Sequence, residues 1–163
     1  MTGKPLILCA DDSPGVLEGW KALLKREGYE VLTATNGKEA LQVFVSHPVD
    51  LVLLDYHMPE MNGDLAARHM KACKPDVPVV LSSADDWMPP GTLETVDAFV
   101  SKSERIPRLL EIVDHLVSLR FLFQPLSDVE KAHGGEAAIT GSRVDSRYRN
   151  RLGGVQPPSG SGY

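Results

Sequence analysis

The chain has 163 residues, enough for one domain or one domain with a tail, and 42% of them are hydrophobic, enough to build a core. Lys and Arg total 17 against 22 Asp and Glu, a net charge of −5, so no nucleic-acid partner is expected, since that needs a basic face. No apolar run approaches the roughly 20 residues that span a bilayer. Met1–Pro5 is too short and polar for a signal peptide, so a cytoplasmic location without a membrane partner is expected. Cys9 and Cys73 have no metal-ligand spacing and read as two buried free thiols in a reducing compartment.

In chain order, Leu6–Ala10 is a short apolar run that predicts a strand, and Pro14–Glu27 comes next with helical period. That helix carries Val16, Leu17, Trp20, Leu23 and Leu24 on one stripe, with Ser13 as N-cap, Pro14 in the first turn and Gly28 at the stop. Glu30–Ala34 predicts a second strand, Lys38–Ser46 a helix, and Leu51–Leu54 a third strand. Asp64–Lys74 predicts a helix ended by Pro75, Pro78–Ser82 a fourth strand and Ala98–Val100 a fifth. Arg105–Leu122 is the longest helical stretch, with Leu109, Val113, Leu116 and Val117 in register. The runs are continuously apolar rather than alternating, which predicts strands buried on both faces of a parallel sheet. Repeated βα units with short connections predict a doubly wound α/β domain over residues 4–122.

Beyond residue 122 the composition changes. Ser127-Asp128-Val129-Glu130 reads as a capping box, so a short helical extension is expected within residues 123–133. Residues 134–163 hold seven of the 14 glycines and four arginines (Arg143, Arg147, Arg149, Arg151) against Glu136 and Asp145. Such a stretch buries too little to offset its ordering entropy and is expected to be a disordered Gly/Arg-rich tail. Its charge is +2, which leaves −7 on residues 1–133.

In a doubly wound fold, chemistry gathers at the carboxyl ends of the strands. The first predicted strand ends in Asp11-Asp12, the third in Asp55, the fourth in Ser82-Ser83, and the fifth leads into Lys102. Three carboxylates crowded together repel one another unless something positive sits between them. A hard divalent cation with oxygen ligands answers that need, and Mg²⁺ suits carboxylates combined with water and phosphate oxygens. With a metal on one side and Lys102 on the other, Asp55 is suited to attack a phosphoryl group, and Ser83 to donate a hydrogen bond to a phosphoryl oxygen. The expected reaction is phosphoryl transfer to a carboxylate.

Residues 4–122 resemble the receiver domain of two-component response regulators. The matching pieces are Leu8–Ser13, Asn36–Leu41, the run from Asp50 through Asp55 to Met58-Pro59-Glu60-Met61-Asn62-Gly63, Pro78–Ala84, and Phe99-Val100-Ser101-Lys102. The resemblance implies a flavodoxin-like fold of five parallel strands in order 2-1-3-4-5. It implies Asp55 as the phosphoacceptor, Asp12, Asp55 and the backbone carbonyl of His57 as direct Mg²⁺ ligands, and Asp11 as a ligand mainly through water. Ser83 matches the switch hydroxyl, Phe99 the switch aromatic and Lys102 the lysine that pairs with the phosphoryl group. The implied donor is a phosphohistidine on a sensor histidine kinase or a histidine phosphotransfer protein. The chain reads as a stand-alone switch, catalysing only its own phosphorylation and dephosphorylation, whose output is an unspecified protein contact.

The chain departs from the family pattern in two places. Ser103 follows Lys102 where the family usually has proline, which puts the loop geometry and the placement of Lys102 in question. Asp85-Asp86-Trp87-Met88-Pro89-Pro90-Gly91 occupies the place of the family's fourth helix, so a shortened helix from about Pro90 to Val96 is expected. Trp87 either packs over the sheet edge or stands exposed as a partner anchor. A receiver-like scaffold that binds a partner without phosphorylation is the alternative. A haloacid-dehalogenase-type hydrolase fits less well, because His57 stands where that chemistry wants a second carboxylate.

Overall fold

The computed structural model describes the backbone of residues 3–137 and the side chains of residues 3–124. Five strands, β1 (Leu6–Ala10), β2 (Glu30–Ala34), β3 (Leu51–Asp55), β4 (Val79–Ser83) and β5 (Ala98–Ser101), alternate with four helices. The helices are α1 (Pro14–Arg26), α2 (Gly37–Ser46), α3 (Gly63–Cys73) and α4 (Ile106–Ala137). The strands form one parallel sheet in the order β2-β1-β3-β4-β5, the order implied by the resemblance.

Alternate residues of each buried strand feed two separate cores, as the pleat requires. Leu8, Val52, Leu54, Val79 and Leu81 face Phe44 of α2 and Ala66, Ala67 and Met70 of α3. Ile7, Leu51, Leu53, Val80 and Val100 face Leu17 and Leu24 of α1 and Leu109, Val113 and Val117 of α4. Central strands β3 and β4 are buried throughout, which is why they read as unbroken apolar runs.

Loop chemistry fixes the helix starts. Asn36 Oδ1 accepts the Glu39 N–H at 2.8 Å, and Glu39 Oε2 accepts the Thr35 N–H at 2.7 Å, a reciprocal cap that holds α2. Ser13 stands at the N-cap of α1, as expected, but makes no side-chain cap. Its N–H instead donates to Asp11 Oδ1 at 2.8 Å, which draws that carboxylate into the turn.

The helix expected from Pro90 to Val96 is replaced by a single 3-10 turn, Leu93–Thr95. Pro89 and Pro90 lack N–H donors, Gly91 sits at φ +87°, and the few residues left are too short to nucleate an α-helix. The chain is then turned back into β5 by Asp97, whose carboxylate accepts the Val79 N–H at 2.7 Å and pairs with Lys71. Trp87 does not cover the sheet edge; it is 69% exposed, and Met88 packs on the core instead.

One further expectation differs. Cys73 is exposed at the end of α3, whereas Cys9 is buried in β1 as expected. Residues 123–133, where a short helical extension is expected, fall within α4, which runs to Ala137, and the compact unit that carries the sheet ends at Phe123. Of the Gly/Arg-rich tail, residues 138–163 lie outside the described residues. Among the described residues no helix is long and apolar enough to cross a membrane.

Candidate phosphoacceptor site

The carboxyl ends of four parallel strands meet at one edge. Asp11 follows β1, Asp55 closes β3, Ser83 closes β4 and Lys102 follows β5. Backbone bonds tie these ends together: Tyr56 N–H donates to Ser82 O at 2.8 Å and Lys102 N–H to Ser83 O at 2.7 Å. Gly63, the first residue of α3, lets that helix press on the end of β3. A Cβ there would meet the Asp55 carbonyl oxygen and sit 3.0 Å from its carbonyl carbon.

Carboxylate oxygens of Asp11, Asp12 and Asp55 lie within 4.8 Å of one another. Asp11 is fully buried, Asp55 is 3% exposed and Asp12 faces solvent. Lys102 Nζ reaches Asp11 Oδ2 at 2.7 Å and Asp55 Oδ1 at 3.0 Å. Every described peptide is trans, so Ser103 leads the chain away from Lys102 without a cis bond and the ammonium still arrives at the cluster.

Burial pushes the Asp55 carboxyl above the usual carboxylate range, and the charges of Asp11 and Asp12 push the same way against the hydrogen bond from Lys102. Burial alone would lower the Lys102 ammonium, but its hydrogen bonds to Asp11 and Asp55 hold it above its ordinary value. Three carboxylates face one ammonium, so the cluster remains short of positive charge, and its donors are hard oxygens. That donor set fits Mg²⁺.

The remaining predicted residues fall around this cluster. Strand alternation puts Ser82 on the α1/α4 face with Val80 and Ser83 on the opposite one. Ser83 Oγ accepts the Asp85 N–H at 3.1 Å. Phe99 is half-buried against the α2/α3 core. His57 has an exposed side chain, edge-on to Tyr56, and its Nε2 lies 2.5 Å from Asp85 Oδ2. That bridge joins the loops after β3 and β4, and sequence reasoning misses it as a contact. Its only signal in the sequence is that each residue stands two places beyond a site residue, Asp55 and Ser83.

A doubly wound sheet with an acidic cluster and a lysine at its carboxyl edge is the architecture of a phosphoacceptor domain. The family described as "Response regulator receiver domain" matches residues 7–114, and the chain belongs to it. The transcriptional regulatory protein GlrR of Escherichia coli K12 is 34% identical over 118 residues, covering 70% of this chain and 27% of GlrR. The chain therefore spans about a quarter of that relative's length. The response regulator TrrA of Thermotoga maritima, solved in complex with Mg²⁺-BeF, is 37% identical with a TM-score of 0.66, over 69% of this chain and 98% of that one. A second structure, of the histidine kinase ThkA in complex with TrrA, aligns with a TM-score of 0.65 at 37% identity, over 69% of this chain and 97% of that one.

Proposed function

We propose that this chain is a phosphorylation-driven switch in which Asp55 accepts a phosphoryl group from a phosphohistidine. The observation that carries the reading is the buried Asp55 carboxylate held 3.0 Å from the Lys102 ammonium beside Asp11 and Asp12. Asp11, Asp12 and Asp55, with the His57 carbonyl, would hold Mg²⁺, which supplies charge neutralisation for the attacking carboxylate and the transferred group. The Mg²⁺-BeF complex of TrrA supports that assignment.

An Asp55 oxygen attacks phosphorus, the P–N bond to the donor imidazole breaks, and the electron pair returns to that nitrogen, which takes up a proton. Lys102 is already aimed at the Asp55 carboxylate and neutralises charge on the transferred oxygens without reorganising. Ser83 supplies a hydroxyl donor from the end of β4, and Phe99 is the half-buried side chain proposed to move inward behind it. The modified aspartate carries about −1.5 to −2 charge, which biases the loops after β3 and β4 between two arrangements. A sensor histidine kinase or a histidine phosphotransfer protein is the proposed donor, supported by the ThkA–TrrA complex. The intact carboxylate–lysine cluster favours this reading over a scaffold that is never phosphorylated.

The test is transfer of labelled phosphate from an autophosphorylated histidine kinase core to the full chain in Mg²⁺. Label on the wild type and none on Asp55→Asn is the expected result. Label retained on Asp55→Asn, or none on either across a panel of donors, overturns the assignment.

A further inference from the structure

The turn that joins β5 to α4, Ser101-Lys102-Ser103-Glu104, carries a set of bonds that the phosphoryl chemistry above does not invoke. Pairing with β4 ends at Lys102, whose N–H donates to the Ser83 carbonyl at 2.7 Å. Past that bond the chain is held by its own polar groups. The Glu104 N–H donates to the Ser101 carbonyl at 2.9 Å, closing a four-residue turn with Lys102 and Ser103 at its centre. Proline at the second central place of such a turn goes with a cis peptide; serine keeps the peptide trans but brings no rigid ring. Side-chain bonds supply the missing restraint. β5 is an edge strand, so the Ser101 N–H has no neighbouring strand to meet and donates to Glu104 Oε1 at 3.3 Å. The Ser103 N–H donates to Ser101 Oγ at 3.3 Å, and the two serine hydroxyls pair at 2.7 Å. Ser101 is only 9% exposed, so this network is sheltered on its strand side.

We propose that Ser101 and Glu104 are positioning residues for phosphoryl transfer, fixing the turn around Lys102 so that its ammonium stays aimed at Asp55. Pairing with β4 sets where Lys102 stands, and the Ser101–Ser103–Glu104 network limits how far its backbone pivots on the other side. The ammonium sits at the end of a long side chain, 2.7 Å from Asp11 Oδ2 and 3.0 Å from Asp55 Oδ1, so a small pivot is magnified at Nζ. Charge stabilisation of a transferring group depends steeply on such placement. The inference rests on Asp55 as the phosphoacceptor and adds to that reading the groups that hold its lysine in place.

The full chain is incubated with acetyl phosphate and Mg²⁺, and the rate of adduct formation is followed by intact mass. Ser101→Ala and Glu104→Ala are expected to react roughly three- to tenfold more slowly than wild type. Glu104→Gln keeps an oxygen acceptor for the Ser101 N–H and is expected to stay within about twofold of wild type. Mg²⁺ affinity, read from the backbone amide shifts of Asp12 and Tyr56, is expected to be the same in all of them, because Lys102 is not a metal ligand. Three results would overturn the positioning role and leave Asp55 as acceptor: a wild-type rate in either alanine variant, a Glu104→Gln as slow as Glu104→Ala, or a Mg²⁺ affinity that falls with the rate. A wild-type chain that takes up no phosphate overturns the Asp55 reading itself, and this inference with it.

Discussion

Lys102 Nζ lies 3.0 Å from Asp55 Oδ1 even though the residue after Lys102 is a serine joined by a trans peptide. Position is therefore set by the strand itself: β5 pairs with β4 through Ser83 opposite Ser101, and the Lys102 N–H is bonded to the Ser83 carbonyl. Proline is not required to bring the ammonium to the carboxylates.

Asp55 is strained electrostatically. Its carboxyl binds a proton more tightly in the folded chain than in the unfolded one. Folded stability without Mg²⁺ is thus expected to fall as pH rises from the unfolded value, about 3.9, through the raised folded value. Asp55→Asn removes that decline, and its midpoint near neutral pH in EDTA is expected to lie above that of wild type. Adding Mg²⁺ is expected to close the gap by stabilising the wild type. Thermal melts of both proteins in EDTA and in Mg²⁺ at several pH values check this; a variant no more stable than wild type in EDTA contradicts it.

Lys102 has the opposite sense. Its folded value is raised, so its contribution is complete below about 10.4 and is lost as pH rises through the folded value. Lys102→Met is therefore expected to lose stability across neutral pH, and to lose the alkaline step that wild type shows in urea midpoints.

Gly63 is needed for contact rather than for a turn. Gly63→Ala drives a methyl group into the Asp55 carbonyl, at an expected cost of about 1–3 kcal/mol. The displaced end of β3 carries Asp55 with it, so phosphorylation is expected to fall together with stability, measured by urea denaturation and by labelling rate. At Gly19, where a Cβ meets nothing, Gly19→Ala is expected to do neither.

Much of this arrangement is legible in the sequence, and the reasons are specific. β3 and β4 are buried on both faces, so their apolarity is continuous, and the residues that break it, Asp55 and Ser82-Ser83, mark the carboxyl edge. The parts that escape depend on contacts that periodicity does not carry. The His57–Asp85 bridge spans 28 positions, and the bond from the Val79 N–H at the start of β4 to the Asp97 carboxylate spans 18. Cys73 sits at helical spacing within α3, but only packing reveals that its position at the helix end is exposed.

The two thiols give an independent check on that packing. Burial pushes the Cys9 thiol far up, whereas Cys73 is open to solvent. One thiol per chain is expected to react with a disulfide reagent at neutral pH in the native protein, at Cys73, and two in denaturant. Fast labelling of Cys9 in the native state contradicts the burial of β1.

Lys74 joins two helices by capping one of them. Its ammonium donates to the Phe44 carbonyl at 2.7 Å and the His47 carbonyl at 3.0 Å, at the end of α2, and lies 4.8 Å from the Phe44 ring centroid. Lys74→Met is expected to cost about 1–2 kcal/mol in urea denaturation while leaving phosphorylation unchanged. An unaltered midpoint contradicts the capping role.

The central claim is that Asp55 is the phosphoacceptor, and intact mass after incubation with acetyl phosphate and Mg²⁺ tests it most directly. A single phosphate adduct that disappears with EDTA and is absent from Asp55→Asn is the predicted result. An adduct that persists in Asp55→Asn, or a wild-type chain that takes up no phosphate from acetyl phosphate or from kinase donors, contradicts it.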